Sequence, residues 1–344
     1  MKIILSIDGG GIRGIIPATI LSYLENKIHE ITNDNRIKIS SLIDFISGTS
    51  TGSIIGSLML IPDENNNFKY KMSEIIDFYL SLGNNVFKHN FIHNIKTIFG
   101  LFGPSFPDSN IDTPLLKLFD HYKMNDLLKP CMFGSYDIEK RKIMFFTNKD
   151  LNQKYINYNV KDIIRGSTSI PSYFTPAHFN NGTSISTLID GGLFANNPSL
   201  ASFIESSKTC FDDKKPKQHN PKDILIISLG CGKIDKKSYS YNKIKNWGKA
   251  KWIIPLFEIL LSSNSEITDY EIRQLFISYD SIHNYKRINP PIVNASSSSM
   301  DSSKENLTNL IKDANQYIQD NKHMLDLLAR EICDINFILK RNLI

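Results

Sequence analysis

The chain has 344 residues, of which 41% are hydrophobic and 22% are charged. These fractions are ordinary for a globular protein and exclude a mostly disordered chain. The net charge of +5 is too small to indicate nucleic-acid binding, and the four cysteines form no CxxC pair that would suggest a zinc site or a disulfide scaffold.

Short apolar runs, which predict strands, alternate along the chain with segments of helical periodicity. The predicted strands are residues 3–7, 42–47, 143–147, 185–189 and 224–229, and the predicted helices are residues 15–31, 52–60 and 305–339. This alternation predicts βαβ units and a mostly parallel sheet, on which we expect the last helical segment to pack.

The chain contains no internal repeat and no segment long enough to be a domain linker. We therefore expect a single domain over residues 1–344, with the motifs concentrated in residues 1–200 and a helical part from about residue 245. No stretch approaches the ~20 apolar residues of a membrane-spanning helix, and the first apolar run is too short for a secretory signal. The expectation is a cytoplasmic protein that is at most peripheral on membranes.

A glycine cluster follows the first predicted strand, where residues 8–14 read DGGGIRG. Glycines between a strand and a helix let backbone N–H groups turn toward a ligand. Gly9, Gly11 and Gly14 match the GxGxxG pattern of a dinucleotide site, but no acid ends the second predicted strand, as that site requires. A tight turn is the other interpretation, and it explains one or two glycines rather than four in six positions.

Residues 48–52 read GTSTG and match GxSxG between a predicted strand and a predicted helix. A strand, a sharp turn and a helix form a nucleophile elbow, which would present the Ser50 hydroxyl and point the Thr51 N–H toward an oxyanion. The alternative is that Ser50 caps the helix that follows.

A serine nucleophile needs a base, and no histidine after Ser50 stands at the end of a predicted strand. Asp190 does, because it closes the run 185–189 and opens an Asp-Gly-Gly sequence. Acids at the carboxyl ends of strands in parallel sheets face the binding crevice. The alternative for Asp190 is a simple Asp-Gly turn.

Together these three segments resemble the patatin-like phospholipases, whose signature is DGGGxRG, then GxSxG, then Asp-Gly-Gly or Asp-Gly-Ala. Residues 130–137, 165–174, 247–248 and 285–288 are also similar to that family, and 165–174 looks like one of its helices. The resemblance covers nearly the whole chain. It implies a three-layer α/β sandwich with a mostly parallel central sheet and helices on both faces. It also implies hydrolysis of glycerolipid acyl esters by a Ser–Asp dyad, without a metal, calcium or another cofactor.

On this resemblance Ser50 is the nucleophile and Asp190 the base, with oxyanion donors among Gly9, Gly10, Gly11 and Thr51. The remaining motif residues are expected to support them: Asp8, Arg13, Gly14, Gly48, Gly52, Gly191 and Gly192. Arg13 would hold a lipid phosphate or brace the glycine loop, and we favour bracing. Burial beside Leu188, Ile189 and Leu193 would raise the pKa of Asp190.

Two segments would suit membrane contact. The first is an apolar stripe that fits an interfacial helix or a core helix: Phe87, Phe91, Ile92, Ile95, Ile98, Phe99 and Phe102. The second is residues 208–251, which carry twelve lysines against four aspartates and fit an anionic lipid surface or a solvated loop.

The expected partner is a phospholipid or another glycerolipid substrate, with peripheral membrane contact and no nucleic acid. Two other functions remain open. Acyl transfer is disfavoured because carrier transacylases prefer a histidine beside the nucleophile, where this chain has Thr49 and Thr51. A non-catalytic nucleotide-binding module would have no use for Ser50 and Asp190 together. The sequence does not give the oligomeric state.

Overall fold

Eight strands form one sheet in the part of the protein that the computed structural model describes, which is residues 1–87, 103–149, 155, 157–180, 185–209, 211, 216, 218–234 and 239–341. The strands are Lys2–Ile7 (β1), Phe45–Thr49 (β2), Cys131–Asp137 (β3), Lys142–Thr147 (β4), Ala177–Asn180 (β5), Ile185–Asp190 (β6), Ile224–Leu229 (β7) and Tyr285–Ile288 (β8).

The helices surround this sheet. They are Ile15–Thr32 (α1), Ile39–Leu42 (α2), Thr51–Leu60 (α3), Met72–Val86 (α4), Ser109–Phe119 (α5), Val160–Ser167 (α6), Gly192–Ala195 (α7), Ser199–Ser206 (α8), Tyr241–Ile244 (α9), Lys249–Ser278 (α10), Lys304–Asp320 (α11) and Lys322–Arg341 (α12). Short 3₁₀ turns lie at Gly11–Gly14, Met124–Asp126, Pro221–Asp223 and Ile282–Asn284. None of the described helices is long and apolar enough to cross a membrane.

The sheet runs in the order β5-β6-β3-β2-β1-β7-β8, with β4 also paired to β3. The central pairs, from β3 through β2, β1 and β7 to β8, are parallel. The pairs of β3 with β4, β3 with β6, and β5 with β6 are antiparallel. The sheet is therefore mostly parallel, as predicted.

Alternate residues of each central strand face two different hydrophobic cores. Ile3, Leu5 and Ile7 of β1 belong to the larger core, together with buried residues of α1 and α3. Ile4 belongs to the second core, with Phe276 of α10. Helices thus cover both faces of the sheet, which confirms the three-layer α/β fold class.

One edge of β3 is shared by two strands that run in opposite directions. Positions 132–137 of β3 pair with β4, positions 131–134 pair with β2, and positions 135–137 pair with β6. A strand has only two edges, so β2 and β6 both lie on the edge opposite β4. Thr49 lies opposite Gly134 and Asp190 opposite Ser135, the next residue along. The carboxyl ends of β2 and β6 therefore meet on β3.

The second predicted strand, residues 42–47, begins too early. Ile39–Leu42 is a short helix, and the strand is Phe45–Thr49. Asp44 ends the irregular part of the chain, because its carboxylate accepts a hydrogen bond from the Ile3 N–H (2.8 Å) and pairs with Lys2 (2.9 Å). The regular pairing of β2 with β1 begins at Phe45, which lies opposite Ile4.

Two helical predictions are also corrected. The predicted helix 305–339 is two helices, Lys304–Asp320 and Lys322–Arg341, which both pack against α1. The family-like segment 165–174 is helical only to Ser167. Pro171 cannot continue a helix and Ser172 has a left-handed φ of 70°, so the chain turns there.

Of the predicted apolar stripe, only Phe87 belongs to the described residues. Its ring lies 5.7 Å from that of Phe106 and 6.4 Å from that of Phe174. Phe87 therefore packs against other aromatic side chains, and the rest of the stripe lies outside the described residues.

Candidate active site

Ser50 stands on a sharp turn between β2 and α3. Its φ of 52° and ψ of −120° are unusual for a residue with a side chain, and such strain is often found at functional sites. A Cβ on Gly48 would lie 2.2 Å from the carbonyl of Gly52, and a Cβ on Gly52 would lie 2.2 Å from the carbonyl oxygen of Ile7. Both glycines are needed because the turn closes on itself and on β1.

The main chain of Ser50 is held on both sides. Its N–H donates to the Ser167 hydroxyl (3.0 Å), and its carbonyl accepts from the N–H (2.9 Å) and the hydroxyl (2.6 Å) of Ser53. The Ser50 side chain makes no capping hydrogen bond to α3. The capping alternative is therefore wrong, and the hydroxyl is left for another purpose.

Asp190 closes β6 and is buried. Its Oδ1 accepts from the Gly192 N–H (2.7 Å), which is the local turn that the sequence also allowed, while Oδ2 has no hydrogen-bond partner among the described residues. Burial raises the pKa of Asp190 to about 7, and the Ser50 hydroxyl and the Gly192 N–H act against that rise. The pair of Ser50 and Asp190 thus lies close together, with one carboxylate oxygen unoccupied.

Asp190 reaches Ser50 for a reason different from the one expected. The expectation used the crevice at the carboxyl edge of parallel strands, but β6 is antiparallel to β3. Asp190 arrives beside Ser50 because β6 ends head to head with β2 on the shared edge of β3. Gly191 permits this approach, since a Cβ there would lie 2.4 Å from the Gly134 carbonyl oxygen.

The glycine loop, residues 8–14, lies against the elbow. The Gly9 N–H donates to the Asn196 carbonyl (3.0 Å). It is therefore not available to bind an oxyanion, and Gly9 is removed from the expected oxyanion donors. The N–H groups of Gly10, Gly11 and Thr51 have no acceptor among the described residues. Gly11 and Thr51 line one cavity with Ser50.

Distant parts of the chain fix this loop. A Cβ on Gly10 would lie 2.3 Å from the Cβ of Cys231, and Gly11, with a φ of 55°, would place a Cβ 2.3 Å from the carbonyl oxygen of Ser299. A Cβ on Gly14 would likewise clash, since it would lie 2.4 Å from the Tyr79 hydroxyl oxygen. Ser299 also accepts a backbone hydrogen bond from Ile12 (2.9 Å).

Asp8 forms a buried ion pair that the sequence analysis missed. Arg287 donates to both carboxylate oxygens, at 2.8 and 2.6 Å, and Ser265 donates to one of them at 2.8 Å. Burial alone would lower the pKa of Arg287, but the Asp8 carboxylate raises it above its ordinary value. Residues 285–288 carried a family resemblance, which was the one available signal for Arg287.

Arg13 has a different environment. No described residue forms a side-chain hydrogen bond or an ion pair with its guanidinium, and its Nε is buried without a partner. Burial lowers its pKa, while Cys231 and Glu258 raise it. The bracing role that we favoured for Arg13 thus has no contact to support it.

A mostly apolar cavity of about 540 Å³, including its open mouth, adjoins Ser50. Its lining comes from the glycine loop, the elbow, α3, α4 and the residue after it, α5 and the turn after α6: Gly11, Ile12, Ser50, Thr51, Ile54, Tyr79, Val86, Phe87, Ile111, Pro114, Leu115, Thr168, Ile170 and Phe174. The described residues contain no group of three or more His, Cys, Asp or Glu that would hold a metal ion. Ser50 therefore lies in the wall of a mostly apolar cavity, with Asp190 beside it.

Comparison with known proteins finds one family across this region. The model of the patatin-like phospholipases matches residues 5–201. "Probable inactive patatin-3-Kuras 1" from Solanum tuberosum is 30% identical over 84% of this chain and 78% of its own. "Patatin-like protein 2" from Oryza sativa subsp. indica is 29% identical over 97% and 88%, and "Patatin-04/09" from Solanum tuberosum is 29% identical over 89% and 80%.

Proposed function

The chain belongs to the patatin-like phospholipase family, and from this membership we propose a serine lipid acyl hydrolase of the phospholipase A type. Membership supports lipid acyl hydrolysis in general. The finer proposal is cleavage of glycerolipid acyl esters by Ser50 and Asp190. One observation carries it: the strained Ser50 presents its hydroxyl to a buried carboxylate whose pKa is raised to about 7.

In the first half of the reaction, Ser50 Oγ attacks the ester carbonyl while Asp190 Oδ2 accepts the hydroxyl proton. A base with a pKa near the working pH is well matched to this task. The hydrogen bond between the two residues closes when substrate is bound, since such bonds are often long in a free enzyme. Collapse of the tetrahedral intermediate expels the lipid alcohol, which takes the proton from Asp190, and leaves an acyl-serine.

In the second half, Asp190 takes a proton from water, which attacks the acyl-serine. The tetrahedral intermediate then expels Ser50 Oγ, which takes that proton back from Asp190, and the fatty acid is released. The negative oxygen of both tetrahedral intermediates is stabilised by the N–H groups of Gly10, Gly11 and Thr51. Each such donor typically contributes ~10²–10³ in rate.

The cavity beside Ser50 takes the acyl chain. Its walls include Ile54, Ile111, Leu115 and Phe174, which offer contacts to hydrocarbon and no charge. A pocket of this kind recognises the chain rather than the headgroup. Because acyl glycerolipids reside in membranes, the proposal includes peripheral contact with a lipid surface.

The test is release of labelled fatty acid from mixed phospholipid vesicles. We expect Ser50→Ala and Asp190→Asn each to lower the rate at least ~10³-fold, and a fluorophosphonate probe to label wild type but not Ser50→Ala. Ser57→Ala is the matched control, because it removes a nearby buried hydroxyl, within α3, that has no hydrogen-bond partner among the described residues. Its rate should stay within about twofold of wild type.

Full activity in either active-site variant would overturn the Ser50–Asp190 mechanism. A wild-type protein that neither releases fatty acid nor reacts with the probe would overturn the proposed hydrolase. Equal losses in Ser57→Ala and Ser50→Ala would assign the effect to folding rather than to chemistry.

A further inference from the structure

The amino-terminal half of α10 extends beyond the sheet on the side of the candidate active site. Ile272 and Phe276 of this helix pack in the second core, and Ser265 donates to Asp8 at the carboxyl end of β1. The helix continues from there toward its amino terminus, and at 1.5 Å per residue its first 16 residues span about 24 Å. Leu261 remains beside the Asp190 turn, 2.8 Å from where a Cβ of Gly192 would lie.

The middle of this extension is rich in large apolar residues. Residues 252–261 read WIIPLFEILL, in which Glu258 is the single charged residue. Ile253, Leu256 and Leu260 are 58%, 49% and 44% exposed. Clustered large aliphatic side chains on a surface mark a binding site for another apolar surface.

Aromatic and basic side chains border these aliphatic residues. Both tryptophans of the chain are here, with the rings of Trp247 and Trp252 packed edge to face at 5.4 Å, and the ring of Tyr239 lies 5.4 Å from Trp247. The exposed lysines of the border are Lys243, Lys245, Lys249 and Lys251. Tryptophan and tyrosine favour the membrane–water interface, and lysines near it are attracted to anionic headgroups.

We propose that residues 239–260, the docking surface, bind the protein to an anionic phospholipid bilayer. The inference rests on the proposed function, since it names the surface through which a lipid hydrolase would meet its substrate. The aliphatic side chains enter the headgroup–acyl boundary, the aromatic rings lie at the headgroup level, and the lysines pair with lipid phosphates. Docking there brings the Asp190 turn close to the lipid.

Charge favours lipid over a second copy of the chain. Residues 241–262 carry four lysines and one glutamate. A symmetric contact through this surface would bring the lysines of two copies together, which repel, whereas anionic headgroups neutralise them.

The experiment uses sedimentation with vesicles of phosphatidylcholine alone or mixed with phosphatidylglycerol. The test variant is Ile253→Gln/Leu256→Gln/Leu260→Gln. The matched control, Ile267→Gln/Tyr270→Gln/Ile277→Gln, changes three residues that are 51%, 60% and 50% exposed on the other half of the same helix. Hydrolysis of p-nitrophenyl butyrate, which needs no membrane, is measured in parallel.

We expect the test variant to bind mixed vesicles at least ~10-fold more weakly than wild type. Its rate on vesicles should fall relative to its rate on the soluble ester. The control variant should bind as wild type does. Lys249→Gln/Lys251→Gln should lose roughly 30-fold on anionic vesicles and little on neutral ones, since each surface lysine contributes about 1 kcal/mol.

Unchanged vesicle binding by the test variant would overturn the docking surface, as would an equal loss in the control variant. A halving of the solution mass of the test variant, measured by light scattering, would assign the surface to contact between copies. If wild type hydrolysed the soluble ester but did not bind vesicles, only the docking surface would be overturned. If it bound vesicles but had no esterase activity, only the proposed function would be overturned.

Discussion

Two buried carboxylates lie beside the glycine-rich segments, and their surroundings are opposite. Asp8 is bound by both nitrogens of the Arg287 fork and by Ser265. Asp190 has one N–H donor on Oδ1 and no partner among the described residues on Oδ2. The charge of Asp8 is thus compensated by Arg287, and the pair anchors the glycine loop. The charge of Asp190 has no such compensation, so its carboxylate holds a proton more readily. Burial without a countercharge is the property that distinguishes Asp190 from Asp8 and makes Asp190 the candidate for a reactive acid.

The largest expected effect comes from removing the countercharge of Asp8. Arg287→Ala leaves a buried, unpaired carboxylate, so we expect the free energy of unfolding to fall by about 3–5 kcal/mol in urea denaturation. Arg273→Ala is the matched control, because Arg273 pairs with Asp269 nearer the surface of the same region and should cost under ~1 kcal/mol. If Arg287→Ala and Arg273→Ala lost the same free energy of unfolding, the buried pair of Asp8 would have no special structural role, and the difference drawn between Asp8 and Asp190 would be wrong.

The second prediction is a gain in the free energy of unfolding rather than a loss. The pKa of folded Asp190 is about 7, above the ordinary value, so ionising it opposes folding and wild type loses stability as pH rises from about 4 to about 7. Asp190→Asn removes that charge, and we expect a gain on the order of 2 kcal/mol at pH 8, after the cost of an amide with incomplete partners.

The gain should disappear below about pH 4, where the carboxylate is protonated in both the folded and the unfolded chain. Denaturation of wild type and Asp190→Asn at pH 4 and pH 8 measures it. A variant that is less stable than wild type at pH 8 would mean that the Asp190 charge is compensated after all.

The smallest effect is on the rate. If Asp190 must be ionised to accept the Ser50 proton, kcat/KM on a soluble ester should fall about tenfold per pH unit below about pH 7. Ser57→Ala should show the same profile. A rate that is level from pH 5 to pH 8 would overturn the assignment of Asp190 as the base, and only its hydrogen bond with the Gly192 N–H would remain.

The elbow was predictable because it is local. Gly48, Ser50 and Gly52 lie within five residues, and the contacts that require the two glycines join the turn to itself and to β1. Strand and helix types followed from short-range patterns in the same way, and the family signature supplied the layer order. The errors fell at boundaries, such as residues 42–47, where Asp44 bonds to β1 instead of continuing a strand.

The supports of the site were not predictable from short-range patterns. Cys231, Ser299 and Arg287 reach the glycine loop from positions more than 200 residues away in the chain, and none is marked by local spacing. The direction of β6 was missed for the same reason, since strand direction depends on pairing with β3. The docking surface of α10 needed a third kind of information, namely which apolar residues remain exposed once the cores are filled.

The shared edge of β3 has a consequence for synthesis of the chain. The elbow and its strand are complete once residue 60 has been made, and β3 follows by residue 137, but the seat for β6 on β3 stays vacant until residue 190 emerges. The ion pair of Asp8 cannot form until Arg287 has also been made. Because chains are made from the amino terminus and contacts of high sequence separation form late, a nascent chain contains Ser50 long before Asp190. The Ser50–Asp190 pair is therefore assembled late in synthesis, and a fragment that ends before residue 190 contains Ser50 without Asp190.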